Sequence, residues 1–227
     1  MQWDDTGFLI SKNKYNENSV IAEIYTLNHG KCSGVIYGGT SRKIKNYLQL
    51  GNKIFVNYKS KSETKIGYFN IEILEPISPY FFDNKLKTLI LVSSVNILKT
   101  LTPELQKNTN IYNLFLNLLT YLKDEKRNII LDYIYWELDF LKEIGFDLDL
   151  NKSNFKDLNC KGFINIFIDD ENYNLPTFIL NRSYSNVKDN HIFQALNFIG
   201  NYIQEKILKP NNLLYPKFRY NLQNLYK

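Results

Sequence analysis

Apolar and polar residues alternate through roughly the first 78 positions, and from there apolar residues recur every three to four. The alternating part predicts five strands, over 7–15, 19–27, 31–37, 53–61 and 65–74. Asn16-Glu17-Asn18 and Asn28-His29-Gly30 are hairpin-sized links, and Pro76 and Pro79 end the segment. Beyond it the spacing predicts a helix over 83–101, with Leu86, Leu89, Ile90 and Val95 in its apolar stripe. Thr102-Pro103-Glu104 reads as a helix start, and helices follow over 110–123 and 128–144, the latter closed by Gly145. Two short strands, 163–168 and 173–180, are expected to join through Asp169-Asp170-Glu171-Asn172. A helix returns over 189–208, stopped by Pro210, and a last one covers 215–226.

Five short antiparallel strands in so small a segment fit a closed barrel, for which the OB-fold is the common solution and an SH3-like barrel the competitor. The long gap 42–51 between the third and fourth strands is where such barrels place a helix or a long loop. The expectation is an α+β multidomain chain. An OB-fold nucleic-acid-binding domain occupies 1–78, and a mostly helical domain 79–227, with a small irregular or β insertion around 150–188.

With 227 residues, 44% hydrophobic and 15% aromatic, the chain is globular, not disordered. A net charge of +5 suits nucleic acid without requiring it. Cys32 and Cys160 allow one disulfide, fewer than a secreted scaffold carries. With His29 and His191 they lack the paired spacing of a zinc site. The acidic start Met1-Gln2-Trp3-Asp4-Asp5 is no secretion signal, and no apolar run approaches the ~20 residues of a membrane span. A soluble protein of the cytoplasm is expected.

Candidate chemistry concentrates between Gly30 and Tyr47. A strand breaks at Gly38-Gly39, where paired glycines permit a sharp turn, and opens into a polar loop carrying Arg42, Lys43 and Lys45. No acid lies from Gly30 to Lys61, so a phosphate backbone is the natural neutralising partner, a bare solvated loop being the alternative. In the fourth strand Lys53, Phe55, Asn57, Lys59 and Lys61 share a face. Lys31 and Tyr37 share one on the third, and Lys12 and Lys14 one on the first. Cations along a groove with aromatic rings is how OB-folds hold single strands; the competing reading makes Phe55 and Tyr37 core and the lysines a wet outer face. The acids Asp147, Asp149, Asp169, Asp170 and Glu171 lack accompanying ligands, and no nucleotide-binding loop, nucleophile elbow or zinc-hydrolase helix occurs. No catalysis and no cofactor are expected.

Four stretches resemble the RecO family of bacterial recombination mediators: Trp3–Ile10, Asn18–Ile21, Gly38-Gly39-Thr40-Ser41-Arg42 followed by Leu48-Gln49-Leu50-Gly51, and Glu137–Leu150. The resemblance implies an N-terminal OB-fold, a C-terminal helical domain and a non-enzymatic role at the nucleoid. That role is to bind single- and double-stranded DNA, anneal complementary strands, and help RecA replace single-strand-binding protein together with RecR and, in many bacteria, RecF. It carries a DNA-contacting role onto Arg42, Lys43 and Lys45, which fall in the family's basic loop. Lys12, Lys14, Lys31, Lys59, Lys61 and Tyr37 join them from strand faces alone. The acidic, apolar-ended tail of single-strand-binding protein needs a pocket rimmed by cations, for which Lys123, Lys126 and Arg127 are the candidates. Some family members carry a four-cysteine zinc site. Here Ser153 stands where a first cysteine would be and only Cys160 is near, so no metal is expected. Three rival functions stay open, a protein-interaction adaptor, an RNA-binding barrel and, third, an enzyme.

Overall fold

The computed structural model describes residues 1–62, 65–148, 155–159, 162–168 and 171–227. Five strands, β1 (Gln2–Lys14), β2 (Ser19–Thr26), β3 (Gly30–Tyr37), β4 (Lys53–Lys59) and β5 (Gly67–Glu75), form a closed barrel in the order β1-β2-β3-β5-β4. All neighbours are antiparallel except β3 and β5, which run parallel at Gly34↔Gly67 and Val35↔Tyr68. This closure, with the helix α1 (Arg42–Tyr47) between β3 and β4, is the OB-fold and not the SH3-like alternative. The seam demands glycine: a Cβ on Gly34 would lie 2.6 Å from the Phe69 ring, and one on Gly67 would strike Tyr58.

β1 is longer than its alternation predicts, because Asp4 and Asp5 interrupt the pattern. Asp5 is buried nonetheless. Its carboxylate accepts from Thr6 N and Asn28 N, both at 2.8 Å, and from Asn28 Nδ2 at 3.1 Å, while His29 Nδ1 lies 2.9 Å away. Donors on every side replace the water the group gives up. Phe8, Leu9 and Ile10 are buried in succession, since β1 has the barrel interior on one face and helices on the other.

By contacts the chain divides into two compact units, Met1–Leu119 and Thr120–Lys227. In the first, α2 (Lys85–Leu101) packs on β1, and Lys99 Nζ reaches Ser11 Oγ at 2.8 Å and Glu23 Oε1 at 3.0 Å. The part of α3 (Thr109–Lys123) that belongs to this unit sets Tyr112 and Phe115 against Phe8. The helix start expected at Thr102 is overturned. Thr102 instead caps the C-terminus of α2, its N–H donating to Leu98 O at 3.1 Å, and Leu105 N donates to Lys31 O at 2.9 Å. Asn108, whose Oδ1 accepts from Ile111 N at 3.1 Å, supplies the cap that starts α3.

In the second unit α4 (Ile129–Glu143) is buried almost all round, beyond the single face its apolar period suggests. A three-stranded sheet, β6 (Phe155–Asn159), β7 (Phe163–Ile168) and β8 (Glu171–Pro176), fills the insertion. The strand expected to run to residue 180 stops at Pro176, and α5 (Phe178–Asn181) makes one helical turn instead. α6 (Asp189–Ile203) continues as a wider π turn over Gln204–Leu208, and α7 (Lys217–Gln223) ends in a 3-10 turn. Ser153, Cys160, Asp149, Asp169 and Asp170 lie outside the described residues, and Cys32 is a buried free thiol.

Two carboxylates are buried on α4, and each is held by an arginine. Arg219, fully buried on α7, donates to Glu137 Oε1 and to Leu196 O at 2.7 Å, and Tyr133 Oη donates to the same Glu137 oxygen at 2.7 Å. Breaking a buried pair strands the remaining charge, at a cost of about 3–5 kcal/mol. Arg219→Met is expected to lower unfolding stability by about that amount, and adding Glu137→Leu to restore most of it. Urea unfolding of the two variants checks this.

Candidate nucleic-acid interface

The Gly38-Gly39 turn that leaves β3 is built on local necessity. Gly38 has φ +69°, Ser41 N donates to Gly38 O at 2.9 Å, and a Cβ on Gly39 would lie 2.6 Å from Val20. The turn leads into the short helix α1, the helical one of the two forms expected of this gap and not the polar loop. Ser41 caps it through Oγ, which accepts from Ile44 N. Ile44, Tyr47 and Leu48 explain the difference: they turn an apolar face onto the barrel core and plug that end of it, Leu48 being 1% exposed.

The plug leaves a cavity of about 320 Å³ at its edge. Val20 and Leu48 line its apolar part, Gly39 and Thr40 its backbone side, and Lys12, Lys14 and Lys45 its rim, with one acid, Glu17. Lys12 Nζ donates to Leu48 O. Burial first, and then the Lys45 ammonium, hold the Lys12 ammonium below its ordinary pKa. An anion placed between the two ammonium groups is bound with added strength, because it offsets the repulsion that Lys12 feels from Lys45.

The structure therefore brings together Lys12, Lys14 and Lys45. At 100° per residue Arg42 lies about 60° round α1 from Lys45, on the same side, while Lys43 lies about 160° away. Lys59 and Tyr37 stand elsewhere on the barrel: Tyr37 ends β3, 69% exposed, and Lys59 ends β4 opposite Tyr68, with exposed Lys61 beyond it. Lys31 sits apart from both. It donates to Lys99 O at 2.9 Å, near Glu23 and Glu104, and burial lowers its pKa. Its charge is matched by acids of its own unit.

In the second unit Lys123 and Lys126 are exposed, and Arg127 is held by Asp132. Its Nε and Nη2 donate to the two oxygens of buried Asp132, at 2.8 and 2.6 Å, and its guanidinium lies 3.8 Å from the Tyr121 ring centre. Tyr184 Oη donates to the same carboxylate at 2.7 Å. Among the described residues no three His, Cys, Asp or Glu gather as a metal would require, and no helix is long and apolar enough to cross a membrane.

Two residues have no place among the candidates that the sequence offers. Thr40, on the cavity wall, comes directly after the glycine pair. Tyr68 alternates with the inward Phe69 and so belongs to the outer face of β5, a signal the strand pattern carries.

The family profile for the recombination protein O N-terminal region matches residues 1–79, and that for its C-terminal region residues 86–214. The chain belongs to the recombination protein O family. Among curated relatives, the DNA repair protein RecO of Wolbachia pipientis from Culex pipiens is 30% identical over 67% of this chain and 62% of that one. The RecO of Rickettsia akari is 34% identical over 67% of this chain and 63% of its own, and that of Wolbachia pipientis wMel 25% identical over 100% and 84%. The matches to the first and to the Rickettsia relative span under two thirds of those proteins' length. Both halves of the family are nonetheless represented in this chain.

Removing the Lys45 ammonium takes away one of the two influences that depress Lys12. In Lys45→Ala the Lys12 titration midpoint is expected to move up, with burial still keeping it below an ordinary lysine. NMR of reductively methylated lysines across an alkaline pH series checks this; an unmoved midpoint separates the two amines.

Proposed function

We propose that this chain is a DNA repair and recombination mediator without catalytic activity of its own. It binds single- and double-stranded DNA through the barrel domain, 1–78, and anneals complementary strands. With RecR, and RecF where present, it helps load RecA onto DNA covered by single-strand-binding protein. The helical domain, 79–227, recruits partners, and the work is done in the cytoplasm, on the nucleoid. The observation that carries this reading is the Lys12, Lys14 and Lys45 rim around an apolar cavity on the barrel of a recombination protein O chain.

Chemistry supports each step. Phosphate contacts supply most of the affinity, so binding is tolerant of sequence and steep in salt. Annealing needs two strands held close with base edges free, which amines on the backbone provide by reducing strand repulsion. Arg42 extends the rim along α1, Lys43, Lys59 and Lys61 extend the basic field around the barrel, and Lys31, its charge offset by Glu23 and Glu104, adds little to it. The tail of single-strand-binding protein docks near Lys123 and Lys126, with Arg127 holding that corner through Asp132.

For single strands each phosphate contact contributes about 0.7 to the slope of log affinity against log salt. Replacing Lys12, Lys14 and Lys45 by Ala is expected to flatten the slope by roughly 2. Replacing Arg42, Lys43 and Lys45 should flatten it by less, since Lys43 faces away from the rim. Anisotropy titrations of the full chain across salt give both values; unchanged slopes remove the rim from the DNA site, and equal affinity for RNA of the same sequence favours the RNA-binding reading. Mixing two labelled complementary strands without nucleotide is expected to give faster pairing with the protein than without, as read by energy transfer.

A further inference from the structure

Tyr37 and Tyr68 stand side by side on the parallel seam of the barrel. Their ring centres are 6.2 Å apart, inclined at 54°, and the residues are 69% and 40% exposed. Neither ring is needed inside, where Phe69 and Tyr58 fill the space over Gly34 and Gly67. A lone exposed tyrosine is ordinary, but two rings paired in water form a surface suited to a flat partner. Exposed Ile66 adjoins Tyr68 through Gly67.

The surrounding charge selects the partner. Lys59 is opposite Tyr68 in the β4–β5 register, and Lys61 and Lys65 are exposed on the link between those strands. Glu72 lies on the same face of β5 but four residues along, about 13 Å away. A ligand that is both polyanionic and able to offer flat π faces is a nucleic-acid strand with unpaired bases. A duplex hides those faces in its own stack, and an acidic peptide offers at most an occasional aromatic side chain, not a flat ring at every repeat beside every charge. Although neither ring lines the lysine-rimmed cavity, Gly39 of its wall follows Tyr37 by two residues, at most about 7 Å of chain.

We propose that Tyr37 and Tyr68 form a stacking platform for unpaired bases, a single-strand subsite beside the phosphate-binding rim. The proposal rests on the DNA-binding reading above and adds to it the source of single-strand preference. Phosphates of one strand follow Lys12, Lys14 and Lys45, and its bases cross the two rings toward Lys59. Duplex DNA uses the rim alone.

The test uses the full chain and three labelled ligands of equal length: a thymidine single strand, an abasic strand with the same phosphates, and a duplex. Tyr37→Ala with Tyr68→Ala is expected to weaken thymidine-strand binding on the order of tenfold per ring, leaving abasic and duplex affinities and their salt slopes unchanged. A second variant, Tyr68→Trp, keeps a stacking ring. Its added indole fluorescence is expected to be quenched by the thymidine strand and not by the abasic one. Equal losses on all three ligands, no loss on any, or quenching by the abasic strand overturns the platform. An unaltered protein that binds none of the three ligands overturns the DNA-binding reading instead, so the two failures are distinct.

Discussion

Closing five strands into a ring is the constraint that shapes the rest of the first unit. Only a parallel β3–β5 contact can shut this order, and it lasts for two residue pairs, Gly34↔Gly67 and Val35↔Tyr68. So short a seam leaves one end of the barrel open. The chain covers that opening with the first thing it makes after β3, the helix whose Ile44, Tyr47 and Leu48 meet the core. The polar side of the same helix is thereby fixed at the rim, so Lys45 reaches Lys12 and Lys14 of β1 although more than thirty positions separate them. Core packing sets where the cations stand, and Lys12 alone of the three is tied back to the plug, through Leu48 O.

Charge is distributed with the same division of labour. Where α2 and its exit meet the barrel, cations have acids: Lys99 has Glu23, and Lys31 has Glu23 and Glu104 within its field. On α4, Asp132 and Glu137 are buried and each has its arginine. These pairs remove charge from view. The rim differs, with three amines and one acid, and Lys12 donating to a neutral carbonyl. Concentrating like charge there destabilises the fold slightly and creates an attractive field for a polyanion. A protein that only needed solubility would intersperse the signs.

Much of the barrel was legible in the sequence, and the failures have physical causes. Alternation located all five strands and the Gly38-Gly39 break, because the barrel wall has one wet face and one dry one wherever helices do not cover it, as on β4 and β5. It lost the start of β1, since Asp5 is a carboxylate buried among donors from a turn more than twenty positions away. Thr102-Pro103 imitated a helix start because cap chemistry is shared by the two helix ends, and Leu98 O was the partner that decided it. The rim was half visible. Lys12, Lys14 and Lys45 were named individually, but grouping them, and parting them from Lys31, required knowing which strand edge α1 covers.

Annealing places opposed demands on such a surface, and the geometry of the first unit answers both under the proposed reading. A strand must be held long enough to be found, yet surrender its bases to a complement. One stacked base is worth about 1–3 kcal/mol, close to the ~1.4 kcal/mol mean of a DNA stacking step. Two rings can therefore hold only about two bases, and pairing that extends beyond them outweighs the platform without any step of chemistry. Once paired, the strand no longer presents base faces to Tyr37 and Tyr68, and the contact that distinguished single strand from duplex is lost. Phosphate on amines is then all that remains, the most salt-labile part of the grip. Weak stacking beside a basic rim thus favours capture of the substrate and release of the product, which a larger aromatic surface or a deeper cavity would oppose.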